Sequence, residues 1–213
     1  MRKPLLILLL SVLSLAILVA AVPALRHAAL RGAGWALVAQ DPKEHVDIIA
    51  IANDAVGAGI LEAADLVHEG VASRVLVFSV QLTPAAAELA RRGVPHHDAA
   101  AEATVELHAL GVSDVEQVAR PAAGTEEESR ILPQWCTEHG IHSVAFVSTT
   151  DHSRRTRRDL RRAMRGRHIK VIVRYARYSE FGPDAWWYTR TGVRTELMES
   201  EKLLLDLLRH PFS

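Results

Sequence analysis

Apolar positions in this chain gather into short, near-continuous blocks separated by stretches of helical spacing. Val46 to Ala52 is the first such block, and its lack of alternation predicts a strand buried on both faces. It ends at Asn53-Asp54 and a Gly57-Ala-Gly59 turn, after which Ile60, Leu61, Ala64, Leu66 and Val67 recur at helical spacing up to Gly70. A second strand, Arg74 to Ser79, is followed by a short helix opened by Pro84 and closed at Gly93, then by a helix from Ala99 to Leu110. Val115 to Ala119 reads as a weaker strand. Thr125 and Glu128 form a capping box that starts a helix running to Gly140, with Pro133 either kinking it or marking its first turn. Ser143 to Ser148 and Ile169 to Val173 supply two more strands, and Glu196 to Leu208 a closing amphipathic helix. Strands alternating with helices require right-handed crossovers. The predicted class is a three-layer α/β/α fold with a mainly parallel sheet of about five strands.

The amino terminus adds a different pattern. Pro4 to Leu25 carries no charge and is mostly Leu, Ile, Val and Ala, behind Arg2 and Lys3. At about 1.5 Å per residue the run is long enough to cross a hydrocarbon core of about 30 Å. It exceeds a usual signal core and reads as a retained transmembrane anchor; a cleavable signal ending near Val19-Ala20-Ala21 is the alternative. The expected organisation is an anchor at 1–25, a juxtamembrane linker at 26–45 and an α/β domain at 46–213.

Formal net charge is zero, but charge is segregated: between Asp151 and Glu180, eleven Arg or Lys stand against three carboxylates. Such a stretch suits a solvated basic face, an anionic ligand or an acidic membrane surface. No recognition motif accompanies it, so nucleic acid is not an expected partner. Cys136 is the only cysteine and sits among Ile131, Leu132 and Trp135, which predicts a buried structural thiol. Trp186-Trp187-Tyr188 reads as a packing plug, with ligand stacking as the alternative.

Candidate chemistry collects where strands end. In a parallel sheet that edge is where ligands bind, and exposed helix N–H groups there favour anions. Ser148-Thr149-x-x-His152-x-x-Arg155 spans such a junction and puts His152 and Arg155 on one face of the first helical turn. The imidazole suits a general acid or base and the guanidinium an anion clamp. Asn53 and Asp54 end the first strand on the same edge, and Thr125 and Glu128 join them. Carboxylates, hydroxyls and an imidazole around an anion suit group transfer, with or without a divalent cation held by oxygens. No metal ligands are assigned and the residues name no cofactor. The Gly-x-Gly-x-x-Gly, P-loop and Gly-x-Ser-x-Gly fingerprints are all missing.

Taken in order, the apolar anchor, a strand beginning with Asp47, a helix ending in Leu110-Gly-Val112, Gly124-Thr125-x-x-Glu128, Val147-Ser148-Thr149-x-x-His152-x-x-Arg155 and a closing Glu199-x-x-Lys202 resemble the SanA/YdcF/ElyC-like bacterial envelope proteins. The resemblance runs from about Asp47 to the end. It implies catalytic His152 and Glu102, with Thr125, Glu128, Ser148, Thr149 and Arg155 binding the ligand beside Asn53 and Asp54. The chain departs from the family's glycine pair after the first strand and its Ser-Gly-Gly after the second. The implied protein is a single-pass component of the bacterial cytoplasmic membrane, its domain on the outer side, binding or transforming an anionic small molecule or lipid-linked intermediate in envelope biogenesis. A catalytically inactive regulatory protein and a structural adaptor using the basic helix remain as alternatives.

Overall fold

A computed structural model describes residues 21–55, 57–80, 82–95, 98–120 and 125–211, with positions 4, 7, 10, 11, 14 and 18. Five parallel strands form one sheet: β1 (Ile48–Ile51), β2 (Arg74–Val80), β3 (Asp114–Arg120), β4 (Ser143–Ser148) and β5 (Lys170–Tyr175). Their spatial order is β3-β2-β1-β4-β5. Ile49 is in register with Val75 on one side and Ala145 on the other. The near-continuous apolar run of β1 follows from that central place, since every residue of the strand is buried.

Before β1 the chain forms helix α1 (Pro23–Ala36). Between β1 and β2 lies α2 (Ala58–His68); between β2 and β3 lie α3 (Pro84–Arg91) and α4 (Ala99–Ala109). Then come α5 (Thr125–Glu138) before β4, α6 (Ser153–Met164) before β5, and α7 (Arg190–Arg209) after it. Helices α2 and α4 pack together with β1 and β2, while α5 and α6 pack together with β3 and β5. The three-layer α/β/α architecture with a five-stranded parallel sheet is thus the one expected. Gly59 lets α2 close onto β1: a Cβ there would lie 2.7 Å from Ile51 Cγ2. Pro133 lies inside α5, so the helix passes through it at the loss of one backbone bond. Cys136 is buried, and burial pushes its thiol up to about 12, as a structural thiol requires.

Two features differ from expectation. Among the described residues no helix is long and apolar enough to cross a membrane, and the single-pass anchor is corrected on that ground. Most of residues 1–20 lie outside the described residues. The apolar run is also not one helix, because Val22 is extended (φ −97°, ψ 110°) and Pro23 starts α1 afresh. The second difference is what α1 does. It docks on the tryptophan loop: Trp186 Nε1 donates to Leu30 O at 2.8 Å, and Arg31 and Trp35 both bond Asp184. His27 stacks on Trp187, and Gly34 sits against Pro183 and Trp186. The tryptophan pair is therefore a packing plug.

Beyond α1, the chain follows the sheet edge. Asp41 N–H donates to Val173 O and Asp41 Oδ2 accepts from Val173 N–H, each at 2.9 Å. This covers the open edge of β5.

Candidate functional site

Because β1 is followed by a helix on one face of the sheet and β4 by a helix on the other, the two loops diverge and leave a crevice at the carboxyl edge. The β1 loop contributes Asp54 from a single 3₁₀ turn, Asn53–Ala55. The β4 loop contributes Thr149, Asp151 and His152, held down where Ser153 Oγ donates to Thr150 O at 2.8 Å. Asp54 and His152 meet across the crevice, with His152 Nδ1 against Asp54 Oδ2. The other ring nitrogen, Nε2, lies 3.2 Å from Asp151 Oδ2 and 3.1 Å from Glu199 Oε1 on α7.

Three carboxylates around one imidazole decide its charge. Burial is the largest single influence and opposes protonation, but the bonds to Asp54 and Glu199 and the charge of Asp151 outweigh it and hold the ring up to about 10. Burial likewise works to raise Glu199, yet hydrogen bonds from His152 and Lys202 and the charges of His152 and Arg155 hold it down to about 2. At neutral pH the ring is an imidazolium with both nitrogens donating. A ring so held is engaged at both nitrogens, and it fixes Asp54 and Asp151 in place.

This pairing has a pH signature. The stabilisation from His152 is complete below its ordinary value of 6.5 and lost as pH rises through about 10. That from Glu199 is complete above 4.5 and lost as pH falls through about 2. The stability difference between the parent chain and His152→Gln is expected to be largest near pH 6 and to shrink towards pH 10 in denaturant titrations. An equal difference at both pH values would contradict the pairing.

Two clefts flank His152. The first, of 580 Å³, is lined by Asp54, Asp151 and Glu180, by Thr149, Ser179 and Thr195, and by Tyr178. Thr149 Oγ1 is shielded from solvent and has no hydrogen-bond partner among the described residues. The amino-terminal turn of α7, capped where Thr189 Oγ1 accepts from Gly192 N–H at 2.9 Å, forms its far wall. The second cleft, of 510 Å³, mixes charges: Arg155, Lys202 and Arg209 stand with Glu126, Asp159 and Asp206.

Of the residues singled out from the sequence, Asp54, Thr149 and His152 line the first cleft and Arg155 the second. Arg155 is not presented as an anion clamp, since its guanidinium donates to Glu199 Oε2 at 3.1 and 3.3 Å. Ser148 is buried beneath the floor, its hydroxyl 3.3 Å from that of Thr156. Glu128 is buried as well, and its Oε1 accepts the Asn53 N–H at 3.2 Å, so it shapes the β1 loop from below. Thr125 is the first residue of α5, and its side chain lies outside the described residues. Glu102 is exposed on α4 and lines neither cleft. Glu180, Ser179 and Thr195 carry no local signal, because they reach the site only through the loop after β5 and the start of α7.

The arginine-rich helix is likewise not a free basic surface. All six arginines of α6 are engaged within the fold: Arg154 bonds Val38 O, Arg157 and Arg161 bond Asp41, Arg155 bonds Glu199, and Arg158 and Arg162 pair with Asp206. The adaptor reading, which needed those charges for acidic surfaces, is corrected by this pairing.

No family model and no curated protein matches the chain. Among solved structures, a universal stress protein in complex with cAMP is 13% identical with a TM-score of 0.40, covering 62% of this chain and 99% of that one. The universal stress protein from Archaeoglobus fulgidus in complex with dAMP is 11% identical with a TM-score of 0.36, covering 61% of this chain and 97% of its own. A universal stress family protein from Burkholderia pseudomallei is 20% identical with a TM-score of 0.37, at 62% and 98% coverage. No family model supports the resemblance to the SanA/YdcF/ElyC-like proteins, and it is corrected on that ground. The envelope role that rested on it is withdrawn with it, and the membrane localisation goes with the anchor.

Proposed function

We propose that this chain is a small-molecule-binding α/β domain whose ligand sits in the first cleft and presents hydroxyl groups to Asp54 and Asp151 and an anionic group to the start of α7. The observation that carries this reading is the crevice at the strand-order switch, where an imidazolium already committed to its neighbours holds two carboxylates towards a hydroxyl-lined cleft. Carboxylates accept from sugar hydroxyls without transferring a proton. The first turn of α7 carries no acidic residue, and the amino end of a 20-residue helix favours negative charge. Nucleoside and sugar monophosphates combine both features. Binding rather than turnover is the favoured role, because carboxylates of the chain already engage both ring nitrogens of His152.

The test is isothermal titration of the full chain with AMP, dAMP, cAMP, ribose 5-phosphate and adenosine. Two of the universal stress proteins above are complexes with cAMP and dAMP, so both belong in the panel. AMP or ribose 5-phosphate is expected to bind and adenosine to bind more weakly, with Asp54→Asn costing at least about tenfold, the loss typical of a hydrogen bond to a charged group. Failure of every phosphorylated ligand to bind, or binding untouched by Asp54→Asn, would sink the proposal.

A further inference from the structure

Helix α7 is amphipathic in the wrong sense for an outer helix of a monomer. Its buried positions are Glu196, Glu199, Leu203 and Asp206, three of them acidic and two of these paired with α6. Its outward positions are apolar: Leu197, Leu204 and Leu208 are 64, 57 and 70% exposed, with Met198 and Leu205 beside them. A helix normally turns its apolar stripe inward. Here the inner face is satisfied by ion pairs, and the apolar stripe faces out.

The spacing of that stripe identifies what covers it. Arg194, Leu197, Glu201, Leu204 and Leu208 follow one another at intervals of three and four residues, the alternation of a helix-pairing seam. Arg194 and Glu201 are exposed and form no ion pair among the described residues. Parallel pairing of two such helices would set Arg194 against Arg194 and Glu201 against Glu201. Antiparallel pairing brings Arg194 of one copy to Glu201 of the other on both sides of a two-fold axis near Leu197 and Met198. The same pairing carries the Leu204–Leu208 end of each helix to the other's 530 Å³ groove, walled by Trp187, Tyr188, Val193 and Leu197. A surface that complements itself in charge and shape under a two-fold rotation is an isologous interface.

We infer that α7 is a self-association surface through which two copies of this chain pair antiparallel, Arg194 to Glu201. The inference is independent of the cleft and its ligand, since none of Arg194, Leu197, Glu201 and Leu204 lines either cleft.

Sedimentation velocity on the full chain tests it. The parent chain is expected to be dimeric at micromolar concentration. Leu204→Glu is expected to raise the dissociation constant at least tenfold with an unchanged far-ultraviolet circular dichroism spectrum, since Leu204 is exposed in the single chain. Arg194→Glu should weaken the dimer and Arg194→Glu with Glu201→Arg should restore it, because the reversed pair is again complementary. Leu197→Cys should give a disulfide-linked dimer on mild oxidation, which buried Cys136 does not. A parent chain that stays monomeric leaves the stripe to a different protein and overturns the inference. So does a dimer that survives Leu204→Glu, or a charge-reversed double variant that fails to recover.

Discussion

Glu199→Ala is expected to lower the unfolding free energy by about 3–5 kcal/mol, the usual cost of leaving buried cations without their counter-charge. Glu199 is buried on α7 and answers three cations, one each from the β4 loop, α6 and α7: His152 Nε2 at 3.1 Å, Arg155 Nη2 at 3.1 Å and Lys202 Nζ at 2.5 Å. Removing the carboxylate leaves His152 and Arg155 facing each other in a partly dehydrated space, and His152 then loses part of what holds its proton. Glu199→Gln keeps the shape and one acceptor, so it should lose less. Guanidinium denaturation of the three proteins measures the series. Because Glu199 also fixes the ring that holds Asp54 and Asp151, the alanine variant should weaken any cleft ligand in the same preparations. A loss below about 1 kcal/mol, the range of exposed pairs, would mean that α7 is not held by this carboxylate.

Asp41→Ala is the second large effect, expected to cost about 2–4 kcal/mol through lost charge pairing and an orphaned strand amide. Asp41 lies outside the sheet, yet its Oδ1 accepts from Arg157 at 3.2 Å and Arg161 at 3.0 Å while its Oδ2 accepts the Val173 N–H of β5. Its carbonyl also accepts from Arg174 at 2.6 Å. One short acid thus fastens the segment after α1 to both the edge strand and the arginine helix. Asp41→Asn retains an acceptor for the amide but not the charge, and should fall between parent and alanine. Hydrogen exchange at the Val173 amide separates the two contributions: it should accelerate in the alanine variant and much less in the asparagine one. Equal exchange in all three proteins would contradict the role of Asp41 at the edge.

Asp41 also shows where sequence reasoning stopped. The strands were legible because a parallel strand buried on both faces must be apolar throughout, and Ile48 to Ile51 and Val144 to Val147 are. The junction at Ser148 to Arg155 was legible too, since an apolar block running into hydroxyl residues and charges marks a strand-to-helix turn. What the arginines do was not legible. Eleven basic residues in one stretch look like a surface for anions, and the carboxylates that neutralise those of α6, at positions 41, 159, 199 and 206, are mostly far away in the chain. The start of α7 was missed for a related reason: Thr189 caps it seven residues before Glu196, where the amphipathic spacing becomes visible.

By itself, then, the sequence determined the layered parallel sheet and the loops at its carboxyl edge, because burial and helix periodicity are written in neighbouring residues. Only the tertiary structure decided that His152 is ringed by Asp54, Asp151 and Glu199, and so carries a proton it does not give up at neutral pH. Charge state depends on distance and dehydration, and the residues that set it here stand 98 and 47 positions away along the chain for Asp54 and Glu199. No local pattern can carry that information.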